Sequence, residues 1–178
     1  MEIERGEQSV HIVMEEIEVR ILQDLAAQLL NLTTPDTSDI GLDPLAQMVG
    51  IDQHATKPTD PVLSRLYPDA YPDDPEASLE FRRFTERSLR DASNERAVRV
   101  LEIISEGFNF ELANDQLKDM VGFLNDLRLA LGTRLEITQS LESQELDDND
   151  PRAALFDLYG WLTWMQEMFI EKGFLHED

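Results

Sequence analysis

Residues 114–137, NDQLKDMVGFLNDLRLALGTRLEI, limit the fold more than any other stretch of this chain. Leu117, Met120, Val121, Leu124, Leu127 and Leu131 recur at steps of three and four, the spacing of one buried helical face. Phe123 and Ala130 add a second apolar edge, which predicts a helix covered on two sides. Asn125, Asp126, Arg128 and Arg134 lie within or just after this apolar surround. Polar groups so placed must find partners or reach water, so they are candidates for a buried polar network. Gly132 offers two outcomes: an end to the helix with a strand over 134–138, or a helix that continues with close packing at the glycine. The unbroken register of Leu124, Leu127, Leu131 and Leu135 favours continuation.

Before this helix, residues 2–5 and 9–13 read as a hairpin turned at Gly6, with Val10, Ile12 and Val13 favouring strand. Residues 15–32 form an amphipathic helix, with Ile17, Ile21, Leu25, Leu29 and Leu32 inward and Leu22 widening the face. FNFEL, 108–112, alternates apolar and polar and is a third strand, expected to pair with the hairpin. Four Asp-Pro pairs, at 43–44, 60–61, 74–75 and 150–151, each supply an N-cap carboxylate and a proline for the first helical turn. They start a short helix near 44–49 and helices at 61, 75 and 151. The helix from 75 runs to about 106, with Leu79, Phe84, Leu89, Val98, Leu101 and Ile104 inward, a candidate break at SNE (93–95), and Gly107 ending it. The last helix, 151–171, carries two stripes. One is Leu155, Leu158, Tyr159, Leu162, Met165 and Phe169; the other is Phe156, Trp161, Trp164 and Met168. So much apolar surface makes it central to the core, or gives it a stripe for a homodimer.

The expected architecture is one mainly α domain over 1–178: a helical bundle with a small antiparallel β-sheet. A loop or mobile segment spans 33–60, an acidic loop spans 139–150, and the tail is frayed. No apolar run approaches the ~20 residues of a membrane span. The charged N-terminus carries no signal segment, so the expected location is the cytoplasm.

Chemistry is sparse. The chain has no cysteine, which excludes disulfides, thiolate metal sites and thiol catalysis. His11, His54 and His176 fall in a strand, a loop and a tail, and no Glu-x-x-His pair occurs, so no metal and no cofactor is expected. Walker, Rossmann and nucleophile-elbow motifs are absent. These readings favour a protein that is not an enzyme.

With 37 acidic and 15 basic residues the net charge is −22. Such a surface repels DNA phosphates as a whole, and either attracts a basic protein or simply keeps the chain soluble. Six arginines nevertheless crowd into residues 82–99. Arg83, Arg87, Arg90, Arg96 and Arg99 form the candidate surface for a partner or nucleic acid, with Arg83, Arg87 and Arg90 on one face. The plainer alternative is internal pairing with the interleaved acids Glu80, Glu86, Asp91 and Glu95. Asp126 and Arg128 are too close in sequence to face each other, so each should pair elsewhere, with Arg134 or an arginine of 82–99. A small-molecule pocket near Asn125, Asp126, Arg128, Tyr159 and Trp161 is a third option.

Three blocks then carry a resemblance: DPVLSRLYPDAYPDDPEASLEFRRFTERSLR (60–90), FLNDLRLALGTRLEI (123–137) and DPRAALFDLYGWLTWMQE (150–167). In this order and spacing they resemble the actinobacterial AosR-like family of oxidative-stress transcriptional regulators. The resemblance implies a cytoplasmic regulator of redox-responsive transcription that binds a protein partner, a sigma factor of the extracytoplasmic-function class. It also implies control of genes of sulfur and cysteine metabolism. It also implies a thiol pair as sensor, from which this chain departs. Either the signal enters through the partner, or the scaffold persists without the sensor. Direct DNA binding through the 82–99 strip is the alternative, disfavoured by the net charge.

Overall fold

The computed structural model describes residues 1–7, 9–34, 52, 55–137 and 150–174. The short helix expected near 44–49, most of the 33–60 loop, the acidic 139–149 stretch, His54 and His176 lie outside the described residues. No helix is long and apolar enough to cross a membrane among the described residues.

Three strands and five helices make up the described chain. Strand β1 (Glu2–Arg5) pairs antiparallel with β2 (Ser9–Val13), matching Ile3 to Ile12 and Arg5 to Val10. Gly6 N–H donates to Ser9 O at 2.8 Å and closes the turn. The third strand, β3 (Asn109–Ala113), is one residue later than expected and pairs with β2, Ile12 opposite Phe110 and Val10 opposite Leu112. These four side chains therefore share the core face, while Asn109, Glu111 and Ala113 alternate to solvent. The central position of β2 explains Val10 and Ile12, both fully buried.

Helix α1 (Glu16–Thr33) begins where Glu15 N–H donates to Glu18 Oε2 at 2.8 Å. Its buried residues are Val19, Leu22, Ala26, Leu29 and Thr33. The inward face is thus rotated from the expected one, and Ile17 is exposed. The helix over Pro75–Ser105 is its main neighbour.

Helices α2 (Pro61–Leu66) and α3 (Pro75–Ser105) start at the expected Asp-Pro pairs. Asp60 Oδ1 accepts from Val62 N–H at 2.7 Å, and Asp74 Oδ1 from Ala77 N–H at 3.0 Å. Helix α3 passes unbroken through SNE, and Gly107, at φ +153°, takes the chain out of it in a conformation side chains rarely adopt. The expected inner face of α3 is corrected: Ser78, Arg82, Ser93, Ala97, Val100 and Ile104 are buried, whereas Phe84, Leu89 and Val98 are exposed. The inward side of its first half is polar because it meets arginine–carboxylate pairs instead of an apolar wall.

Helix α4 (Asn114–Arg134) touches all four other helices as well as β2 and β3. Leu117, Met120, Phe123, Leu124 and Leu127 are buried along it. It continues through Gly132, where an added Cβ would stand 3.2 Å from Tyr159 Cε2, and no strand forms over 134–137. It then stops despite the register of Leu135. Ile137 N–H donates back to Gly132 O at 2.9 Å with Glu136 at φ 53°, a closing turn that seats Leu135 in the core.

Helix α5 (Ala153–Phe174) starts two residues later than expected, because Asp150 first holds Arg152 N–H at 2.8 Å in a turn. It packs on α4 and β1. Leu162, Met165, Gln166 and Phe169 are buried, while Leu155 and Trp164 are exposed, so neither expected stripe is wholly inside.

Candidate functional site

The polar residues inside this bundle fall on two flanks of α4. On the first flank Asp126 accepts Ser93 Oγ at 2.8 Å and Arg96 Nη1 at 2.9 Å. Arg96 reaches it by crossing Gly122, where a Cβ would lie 2.8 Å from Arg96 Nε. Burial pushes the Asp126 carboxyl above the usual aspartate range, and Ser93, Arg96 and Asn125 oppose that rise without cancelling it. Asn125 is half-buried beside it.

The same flank continues along α3. Arg82, 5% exposed, donates to Tyr67 O at 3.0 Å and Asp69 Oδ1 at 2.9 Å and is paired with Glu86. Arg90 holds the other oxygen of Glu86, donates to Thr33 O at 3.2 Å, and places its guanidinium 5.0 Å from the centre of the Tyr67 ring. Lys57 completes the group on Asp69. Lys57 and Arg82 together hold the Asp69 carboxyl below its ordinary value. The Tyr67 hydroxyl is buried near Ser93 but makes no well-formed hydrogen bond, and burial raises its pKa.

On the second flank Arg128 lies 5.5 Å over the Tyr159 ring, donates to Thr163 Oγ1 at 2.9 Å, and is bonded to Gln166. Gln166 in turn donates to Val121 O at 3.2 Å. Asp126 and Arg128 therefore serve opposite sides of α4 and do not line one pocket. Arg134, exposed in the last turn, is not joined to Asp126. Between α1 and α4 a crevice of about 60 Å³ is lined by Leu29, Leu127, Leu131 and Arg134 among others. That is well under the roughly 300 Å³ at which small-molecule sites begin.

The arginine strip is not one surface. Arg90 and Arg96 turn inward to Glu86 and Asp126. Arg99 grips Asp119 at 2.7 Å and Glu95 at 3.7 Å. Arg83 and Arg87 face solvent, with Arg87 4.0 Å from Asp91. Sequence reasoning did not single out Tyr67, Asp69, Ser93, Thr163 or Gln166. The signal for the last two was present, since they are uncharged polar residues three apart that flank the apolar Trp164 and Met165. Arg82, Glu86 and Arg90, four apart, likewise announce a ladder. Among the described residues no group of three or more histidine or acidic side chains is gathered as a metal would need.

The arrangement ties helices together with charge-assisted bonds and leaves the exterior acidic. Comparison with known proteins gives it a family. The chain is 34% identical over 168 residues to the Oxidative stress regulator AosR of Mycobacterium tuberculosis and of Mycobacterium bovis, covering 86% of this chain and 77% of each relative. It has the same identity and coverage with the Putative oxidative stress regulator AosR of Mycobacterium leprae. No solved structure matches it at a significant level. Residues 1–172 match the family described as Domain of unknown function (DUF2017), and together with the AosR proteins this places the chain in that AosR-like family.

Proposed function

We propose that this protein is a non-enzymatic regulator of the oxidative-stress response that adjusts transcription by binding another protein. The observation that carries the reading is its similarity, over most of both chains, to proteins named oxidative stress regulators. The internal use of the arginines supports a protein partner over DNA: Arg82, Arg90, Arg96 and Arg99 are held by carboxylates, and the remainder sits in a field of net charge −22. The partner expected is a sigma factor of the extracytoplasmic-function class. With no cysteine in the chain, the oxidative signal is expected to enter through that partner.

The test is retention of proteins from a native lysate by the tagged chain, with and without peroxide. Recovery of a transcription component in at least one state is the expected result. Recovery of none in either state, with an unchanged transcript profile in a deletion strain under peroxide, overturns the reading.

A further inference from the structure

Four glycines lie inside the long helices α4 and α5, and three of them are explained within the chain. Gly122 lies under Arg96, Gly132 under Tyr159, and Gly173 under Leu117. Gly160 is different: a Cβ built there meets nothing within 4 Å. A glycine in mid-helix is a poorer helix former than alanine, and its usual return is the close approach of another group. Nothing in the described chain makes that approach.

The surroundings of Gly160 indicate what would. Asp157, Gly160, Trp164, Glu167, Glu171 and Phe174 follow one another at steps of three and four, which sets them on one seam of α5. All six are exposed, opposite the buried Leu162, Met165 and Phe169. Trp164 is 42% exposed and stands one turn from the bare Gly160 backbone. The seam carries three carboxylates and no lysine or arginine. Two copies of this chain meeting here would set carboxylates against carboxylates, each molecule already at −22. A cationic segment meets no such opposition, and an indole face beside carboxylates attracts arginine or lysine. A helix can lie along a seam of this spacing, and the notch at Gly160 lets the two axes approach.

We propose that the outer seam of α5 is the docking face for a basic helical segment of a protein partner, seated over Gly160 and against Trp164. The proposal rests on the protein-partner reading and gives it a location.

The probe is a synthetic helical peptide of 20 residues with arginines flanking an alanine seam, titrated calorimetrically into the full chain. Its counterpart has glutamate for every arginine. Gly160→Leu fills the notch with no internal clash and is expected to fold at least as stably as wild type, read as an equal or higher Tm. The arginine peptide is expected to bind wild type, to bind Gly160→Leu and Trp164→Ala about tenfold more weakly, and to bind Phe84→Ala unchanged. The glutamate peptide is expected not to bind. Equal affinity for wild type and Gly160→Leu, equal binding of the two peptides, or no binding of either overturns the proposal. So does a wild-type dimer in sedimentation that Gly160→Leu dissolves. If lysate proteins are retained while peptide binding ignores Gly160→Leu, the seam is wrong and the regulator reading stands. If retention fails as well, both fall.

Discussion

Arg96 holds Asp126 at 2.9 Å by lying across the bare backbone of Gly122. The pair ties α3 to α4 near the middle of both helices. Arg96→Ala leaves a largely buried carboxylate without its cation. Because Arg96 itself is 29% exposed, the loss is expected at about 2 kcal/mol, under the 3–5 typical of a fully buried pair. Urea denaturation checks it. In a double-mutant cycle, Asp126→Asn should recover part of the loss.

Asp126 also predicts a dependence on pH. Burial raises its folded pKa above the ordinary value, so the folded protein binds that proton more tightly than the unfolded chain. Its contribution is most favourable below the unfolded pKa of about 3.9 and is lost as pH rises through the raised folded value. The stability of wild type relative to Asp126→Asn should therefore fall as pH climbs across that window. Asp69, whose pKa is lowered by Lys57 and Arg82, acts in the opposite sense and loses its contribution as pH drops. Carboxyl NMR titration should find Asp126 titrating above Asp69.

Tyr67→Phe is expected to raise stability by about 1 kcal/mol, because it deletes a buried hydroxyl that has no well-formed bond and keeps the ring under Arg90. Thermal melts of the two proteins decide it. A loss of stability would mean that the hydroxyl holds Ser93 in place.

Glu136 occupies a left-handed conformation at the end of α4. Glycine adopts it without the penalty of roughly 1 kcal/mol that a side chain meets there. Glu136→Gly should stabilise the protein by up to that amount, as judged by urea midpoint, and should leave the helical content by circular dichroism unchanged.

Gly173 predicts the opposite sign. A Cβ there would lie 2.5 Å from Leu117 Cδ2, inside the core. Gly173→Ala should lower stability by about 1–2 kcal/mol even though alanine is the better helix former. Pairing it with Leu117→Val should restore part of the loss, measured in the same denaturation series.

Much of this architecture was legible because its causes are local. Val10 and Ile12 declared a strand by alternation, and Asp60-Pro61 and Asp74-Pro75 declared helix starts by capping chemistry. Leu117 through Leu131 declared the central helix by period. The inward faces of α1 and α3 depart from the rule that apolar residues turn in. Ile17 and Phe84 face out, while Arg82 and Ser93 turn in to meet Asp69, Glu86 and Asp126. Glu86 shares α3 with Arg82, but Asp69 and Asp126 lie outside that helix, and no spacing along one helix reveals a pairing with them. The partners of Arg128 were hidden in the same way, since Thr163 and Gln166 belong to α5. Gly160 and Gly132 look alike in sequence. Only the structure separates the glycine with a neighbour from the one without.

The order of strands in the sheet bears on how the chain is made. The middle strand, residues 9–13, lies between 2–5 and 109–113, and Arg5 is anchored to the carbonyl of Gly173 at 2.7 Å. On the ribosome the early hairpin must wait for some hundred further residues before its second neighbour emerges, and longer still for its anchor. Its valines and isoleucines stay uncovered through that interval. Nascent-chain handling, more than the finished molecule's stability, is then where a lesion in the first dozen residues would be felt.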